Sequence, residues 1–379
     1  MKKNSVLILI LGVFFAVQPV IAQIWLPAKR LTFNSGGSSQ PAITVDSNDH
    51  IHVVWSDNTL VNQELFYKKS TDGGATWTTK RLTFNSDGSY SPAVAVDTND
   101  HIHVVWEVYG PGISEIFYKK STDAGTSWTT KRLTWNPGYS SYPAIAIDSS
   151  NHIHVVWEDN TPGASEIYYK KSTDGGTNWT TKRLSYNPGW SARASIAVDS
   201  DNRIYVVWSD DSPANKEIYC KLSTDGGTSW TTKRLTWTSG DSYRPKIFVT
   251  FNNGYNHVVW IDETSGSPEV YYKKSTDKGV TWMTKRLTWT STDSMNPAIL
   301  VDFKDHIHVV WNDSNPGNNE IFRKKSTDEG MTWIRERLTW MNGESELPVL
   351  AVDSDNYFYV VWRDNTPGNF EIYYKKEIH

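Results

Sequence analysis

The sequence predicts an all-β fold, a seven-bladed β-propeller of four-stranded antiparallel blades with the N-terminal strand closing the last blade. Three observations carry that reading. The tripeptide Val-Val-Trp recurs at a nearly fixed period, each period holds four short strand-like runs, and the two chain ends carry complementary parts of one period.

The tripeptide ends at Trp55, Trp106, Trp157, Trp208, Trp260, Trp311 and Trp362, spaced by 51 residues with a single spacing of 52. A period of this length marks a repeat architecture. In the third unit the runs are "PAIAID", "HIHVVWE", "EIYYKKS" and "WTTKRLTW". Their β-branched and aromatic residues favour strands. The intervening "SSN", "DNTPGAS" and "TDGGTN" hold the Asn, Asp, Gly and Pro that turn a chain. No stretch shows a helical period. The last unit ends at "EIYYKKEIH" without a fourth run, while "IWLPAKRLTF" at the other end is a fourth run without a unit. Trp25 and residues 29–32 match Trp77 and residues 80–83. Joining them closes the ring and removes the open sheet edges that promote aggregation.

Before the repeats stands "MKKNSVLILILGVFFAVQPVIA", with Lys2 and Lys3 ahead of an apolar run and small residues at Val20 and Ala22. Residues 1–22 are expected to be a cleaved export signal, and residues 23–379 a single propeller domain of seven repeats. The expected location is secreted or in the periplasm and cell envelope. Cys220 is the single cysteine, so no internal disulfide supports the ring. A net charge of −4 argues against a nucleic-acid partner. After the signal, nothing is apolar enough to span a bilayer.

The phrase "S-x-D-x-G-x-(T/S/N)-W" recurs at 70–77, 121–128, 172–179, 223–230, 275–282 and 326–333. It resembles the Asp-box, or bacterial neuraminidase repeat, of the sialidase superfamily of propellers. The resemblance implies a hairpin between third and fourth strands, on the face away from an active site. Structural roles follow for Asp72 and Trp77, Asp123 and Trp128, Asp174 and Trp179, Asp225 and Trp230, Asp277 and Trp282, and Asp328 and Trp333. The carboxylate suits backbone N–H groups of the turn, and the indole packs between sheets. One carboxylate per turn is too few ligands for calcium. No metal and no cofactor is expected.

Function should sit on the opposite rim, in the connections from fourth to first strands. Ligand-binding candidates there are Trp135, Trp190, Trp237, Trp289, Trp340, Tyr139 and Tyr142, since aromatic faces stack on sugar rings. An aromatic follows "RLT" or its variant in all seven units. The repeated W-x-D aspartates and third-strand glutamates beside them are expected to be chiefly structural.

A second candidate is one asymmetric pocket at the mouth. The residue before the first strand varies, as Gln40, Ser91, Tyr142, Arg193, Arg244, Asn296 and Leu347. Converging guanidiniums clamp carboxylates. The resemblance implies an arginine triad, a Tyr/Glu nucleophile pair and an Asp acid, for which the catalytic candidates are Arg193, Arg244, Arg363, Asp241, Asp293, Glu344 and Tyr243. The family's "(F/Y)-R-I-P" motif is missing, and Gln40 stands where its arginine would be wanted.

The His-Ile-His pairs place two imidazoles on one strand face. Units four and seven replace them, and packing is the expected role. The "KKS" and "KR" lysines are expected to be solvated edge protection. The function expected is a non-catalytic glycan-binding or protein-binding module. The alternative is an exo-α-sialidase-like glycoside hydrolase.

Overall fold

The structure, a computed structural model, describes residues 24–378 apart from Pro111, Pro213 and Pro316. The export signal expected over residues 1–22 lies outside the described residues. Two short strands, β1 (Ile24–Trp25) and β2 (Lys29–Arg30), open the described chain. The first blade is β3 (Ser38–Val45), β4 (Ile51–Asp57), β5 (Glu64–Ser70) and β6 (Thr78–Arg81), hydrogen-bonded in that order. Blades two to six repeat this antiparallel meander. Blade seven has three strands of its own, and both β1 and β2 pair with its last, Glu371–Ile378. Seven blades thus close as the chain ends predict.

The closing strand carries one surplus residue. Trp25 stands four positions before Lys29, whereas Trp77 stands three before Lys80. The surplus falls in the break between β1 and β2, where Pro27 has no N–H to give a ladder.

The first strand of each blade touches the first strands of both neighbours, so these seven strands surround the axis. Second strands are buried almost throughout, as β4 shows from end to end. The seven Val-Val-Trp indoles are 0–1 % exposed and stack on third-strand aromatics, for example Trp157 on Tyr168 with centroids 5.7 Å apart. These aromatic surfaces, with the buried Val, Ile and Leu beside them, are removed from water between blades and stabilise the ring.

The histidines belong to this frame. Asp148 Oδ1 accepts backbone N–H groups of its turn, including that of His152 at 2.8 Å. Its Oδ2 meets His152 Nδ1 at 2.8 Å and His154 Nε2 at 3.2 Å. His154 Nδ1 then meets the Tyr169 hydroxyl at 2.8 Å. Tyr169 packs edge-on against Trp230 of the next blade, 5.2 Å between centroids. Gly227 of that same Ser-x-Asp-x-Gly turn has φ +93°, and a Cβ there would strike the Tyr169 ring. The repeated turn is therefore an inter-blade clasp as well as a hairpin.

Other turns tie across the closure. Asp49 Oδ1 accepts Ser354 N at 2.8 Å, the same latch by which Asp100 Oδ1 holds Ser47 N at 2.9 Å.

The variable residues expected just before the first strand lie inside it. Gln40, Ser91, Tyr142, Arg193, Arg244, Asn296 and Leu347 all have φ between 50° and 57° at a register shift. A bulge in the left-handed region turns each of these side chains away from the ladder's regular alternation. Among the described residues, no helix is long and apolar enough to cross a membrane.

Candidate functional site

Two regions collect side chains that the frame does not consume: the outer grooves between blades, and one sector of the mouth.

The repeated carboxylates, the third-strand glutamate of all seven blades and the W-x-D aspartate of six, are largely occupied. Asp159 Oδ2 accepts Ser140 Oγ at 2.8 Å and Trp157 Nε1 at 3.2 Å, and its Oδ1 accepts Thr161 N at 2.9 Å. Glu217 Oε1 takes Arg234 Nη2 at 2.8 Å and Thr238 N at 2.9 Å. These acids hold loops and strands together, as their faithful repetition suggested.

That network leaves the aromatics free. Phe33, Phe84, Trp135, Tyr186, Trp237, Trp289 and Trp340 are 64–74 % exposed. Each ring has the guanidinium of its own blade's fourth strand beside it, at 4.4–5.8 Å from the centroid. The carboxylate fixes the arginine, the arginine supports the ring, and the ring remains largely exposed to solvent.

Trp135 lines a cavity of about 180 Å³ between blades two and three. Lys131, Arg132, Leu133, Lys170, Thr177, Asn178 and Trp179 complete its walls. Lys131 Nζ donates to Thr177 O across the interface. Trp190 stands 59 % exposed on its loop, and Tyr139 stacks on Tyr109 at 6.1 Å.

At the mouth, the structure brings together some predicted residues and separates others. The Arg193 guanidinium lies over the Tyr142 ring at 3.4 Å. Arg244 Nη1 reaches Asn296 Oδ1 at 2.5 Å, and burial followed by the charge of Arg193 pushes Arg244 down. Lys246 joins them from the innermost strand, at a position holding Ala42, Ala93, Ala144, Ser195, Ala298 or Val349 elsewhere. Its side chain is open to water, yet enclosure by the ring and the two guanidiniums push its ammonium down.

Glu107 and Glu158 face this cationic group from the position after Val-Val-Trp. Burial raises both carboxyls, Glu158 to about 7 against the pull of Arg193. Glu158 is 8 % exposed, and its Oε1 has no hydrogen-bond partner. Neither glutamate nor Lys246 was singled out from the sequence. For Lys246 the signal was present, since it is the one charged residue in a column of alanine, serine and valine; the position of Glu107 and Glu158 varies from blade to blade and carries no such mark.

Arg363 is elsewhere: it holds Glu346 Oε2 at 2.5 Å and Ser39 Oγ at 2.7 Å, between blades seven and one. Asp241 Oδ1 accepts Lys216 N at 2.9 Å, and Glu344 Oε2 accepts Asn319 N at 2.7 Å, so both cap loops. The backbone carbonyl of Asp293 accepts Ser314 N at 3.2 Å. Tyr243 donates its hydroxyl to Glu263 Oε1 at 2.7 Å, and burial with that hydrogen bond raises the phenol.

Asp302, His306 and His308 bring three potential metal ligands within 4.8 Å. His308 is stacked on Phe358 at 4.4 Å, and burial drops it to about 4. The same Asp–His–His turn cap stands in blades one to three.

No family model matches the chain, and no curated protein matches it. Solved structures do. A protein of unknown function from Dyadobacter fermentans DSM 18053 aligns over 92 % of this chain and 98 % of its own, at 15 % identity and TM-score 0.60. A PL25 ulvan lyase bound to a glucuronate–rhamnose-3-sulfate unit aligns over 90 % and 94 %, at 11 % identity and TM-score 0.65. The fold is that of a sialidase-like propeller. Trypanosoma rangeli sialidase shows it at 13 % identity and TM-score 0.52, over 90 % of this chain and 55 % of that enzyme. This sialidase-like ring thus accounts for about half the length of that relative in fold. At such identities the likeness is one of architecture.

Proposed function

We propose that the protein is an exported, non-catalytic, multivalent glycan-binding propeller whose sites are the rim aromatics. The observation that carries this is the sevenfold set of exposed rings, each supported by an arginine that a buried glutamate fixes in place. Rigid, preoriented aromatic faces stack on the C–H faces of sugars with little ordering cost. Seven weak sites on one ring raise avidity ~10²–10⁴-fold when a ligand reaches several together. Glycan-active proteins among the structures of this fold, the ulvan lyase and the sialidases, favour a sugar ligand over a protein one. Export accords with the amino-terminal sequence.

A second reading, a sialidase-like hydrolase at the mouth, draws on Arg193, Arg244 and the proton-holding Glu158. Two features weigh against it. Arg363 is committed to Glu346, and a phenol raised by burial, as Tyr243 is, makes a poor nucleophile at neutral pH.

One experiment separates them. Residues 23–379 are applied to a glycan array of sialylated and desialylated pairs, alongside a Trp135→Ala/Trp237→Ala variant. Binding that falls about tenfold or more in the variant, with printed glycans intact, is the expected result. Unchanged binding in the variant would refute this placement of the site. Release of terminal sialic acid would transfer the function to the mouth.

A further inference from the structure

The lysines expected to be edge protection are arranged across the blade interfaces in like-charged pairs. Lys131, on the fourth strand of blade two, faces Lys170 on the third strand of blade three, and both line the Trp135 cavity. Lys80 faces Lys119 one interface earlier, and Lys29 faces Lys68 at the interface before that. The same pair recurs at the three interfaces that follow. In each, burial and then a neighbouring cation push the third-strand ammonium down, the penalty expected of two cations held together. Among the described residues, neither Lys131 nor Lys170 has a carboxylate within ion-pair range, and no acid lines their cavity. Their fixed partners are neutral: Lys131 donates to Thr177 O and Lys170 to Thr181 Oγ1 at 2.5 Å.

The seventh interface supplies an internal contrast. Between blades six and seven the fourth-strand lysine is Glu336, which accepts Trp25 Nε1 at 2.8 Å and Arg323 Nη2 at 2.7 Å. There burial still pushes the Lys375 ammonium down, but the charge of Glu336 works against that shift where the other grooves add a second cation. The chain therefore neutralises the groove where its own termini meet, and leaves six others with unmatched positive charge beside an exposed aromatic.

We propose that these six inter-blade grooves take an anionic polysaccharide, with a carboxylate or sulfate seated between each lysine pair and a sugar ring on the adjoining aromatic. This rests on the rim reading above and names its ligand class. A cavity of about 180 Å³ is below the ~300–1,000 Å³ of a site that encloses a small molecule. Only the edge of a ligand enters it, which suits one residue of an extended chain that runs from groove to groove. The net charge of −4 makes the local pairs stand out and disfavours a duplex nucleic acid, which requires a broadly basic face.

The test uses residues 23–379 with three polymers of matched length: dextran sulfate, polygalacturonate and neutral dextran. Either anionic polymer should bind at least about tenfold more tightly than dextran, and raising NaCl from 50 to 500 mM should remove most of that difference by screening. Dextran sulfate alone would identify sulfate, and polygalacturonate alone a carboxylate. A Lys119→Gln/Lys170→Gln variant should lose affinity about threefold or more, and Lys119→Arg/Lys170→Arg should restore it at an unchanged melting temperature. Equal affinity for dextran, indifference to the glutamine variant, or tighter binding of duplex DNA would each overturn the proposal. The two readings fail separately. Binding that depends on Trp135 and Trp237 but not on the lysines sinks only the anionic class, and binding that depends on the lysines alone sinks only the aromatic placement.

Discussion

The turn face and the mouth of the ring are built from the same seven units, yet they depart from the repeat in different ways. On the turn face, most substitutions come in matched sets. Blade four replaces His154 by Tyr205 and Tyr169 by Cys220, and the Tyr205 hydroxyl reaches Asp199 directly at 3.3 Å. The longer side chain does the work of two, and the buried Cys220, its thiol raised to about 12, fills the space left. Blade seven also sets a tyrosine, Tyr359, on its aspartate, Asp353, while keeping Tyr374 stacked beside it. At the mouth, departures gather in one sector and add charge. Arg193, Arg244 and Lys246 bring three cations into that sector, and Glu107 and Glu158 set two carboxyls against them. From Asn296 round to Ser91 the mouth is instead a chain of hydrogen bonds between neutral or paired groups, such as Asn296 to Asn312 at 2.8 Å and Gln40 to Ser91 at 3.2 Å. Matched substitution preserves a frame; charged groups of both signs gathered in one sector are the mark of a region not selected for packing.

The contrast predicts that the frame is intolerant wherever it is copied. Trp208→Ala removes an indole that is 1 % exposed and stacked on Tyr219 at 5.8 Å. A cost of about 3–5 kcal/mol in urea unfolding is expected from lost burial and the cavity left behind. A loss under 1 kcal/mol would mean that neighbouring blades close over the gap, and that the copied indoles are not the principal support.

The same frame should be acid-labile. Burial lowers His103, His154 and, to about 4, His308, so the fold keeps them neutral at a pH where the unfolded chain protonates near 6.5. The unfolded state then binds more protons, and stability falls as pH falls from about 6.5. Asp148, held well below its ordinary range by His154 and turn N–H groups despite burial, adds a further loss below about 4. Melting temperature should be level above pH 7 and decline steadily between pH 6.5 and 4. Asp148→Ala leaves the partners of one carboxylate unsatisfied and should cost about 1–3 kcal/mol at pH 7.5. A flat profile from pH 7 to 4 would show that these histidines titrate normally and that the clasp is looser than its distances.

Much of the frame was legible in the sequence because period, turn chemistry and the incomplete end units all constrain one answer. The site was legible only in part. Exposed Trp135 and Trp237 could be found by position alone, since the aromatic column ends a strand facing solvent. The pairing of Lys131 with Lys170 could not, because it depends on which face of each strand meets the neighbouring blade. Arg363 looked equivalent to Arg193 and Arg244 as an unexpected guanidinium. Only its distance to Glu346 shows that it is already neutralised. Glu158 was hidden for the opposite reason: an acid after Val-Val-Trp resembles any surface residue until burial is known.

Glu158 gives the finest test of the comparison. Its carboxyl, pushed up to about 7, keeps a proton in the fold that the unfolded chain releases near 4.5. Between those values the folded state binds more protons, so this group's contribution to stability falls as pH rises, opposite in sign to the turn-face histidines. Glu158→Gln keeps an acceptor for the Arg193 backbone N–H and removes the titration. The variant should gain stability relative to wild type by about 2 kcal/mol on going from pH 5 to pH 8, read from paired urea midpoints. An identical pH dependence in the two proteins would place Glu158 among solvated acids. The mouth would then differ from the turn face in composition alone, with no electrostatic strain stored beside Arg193.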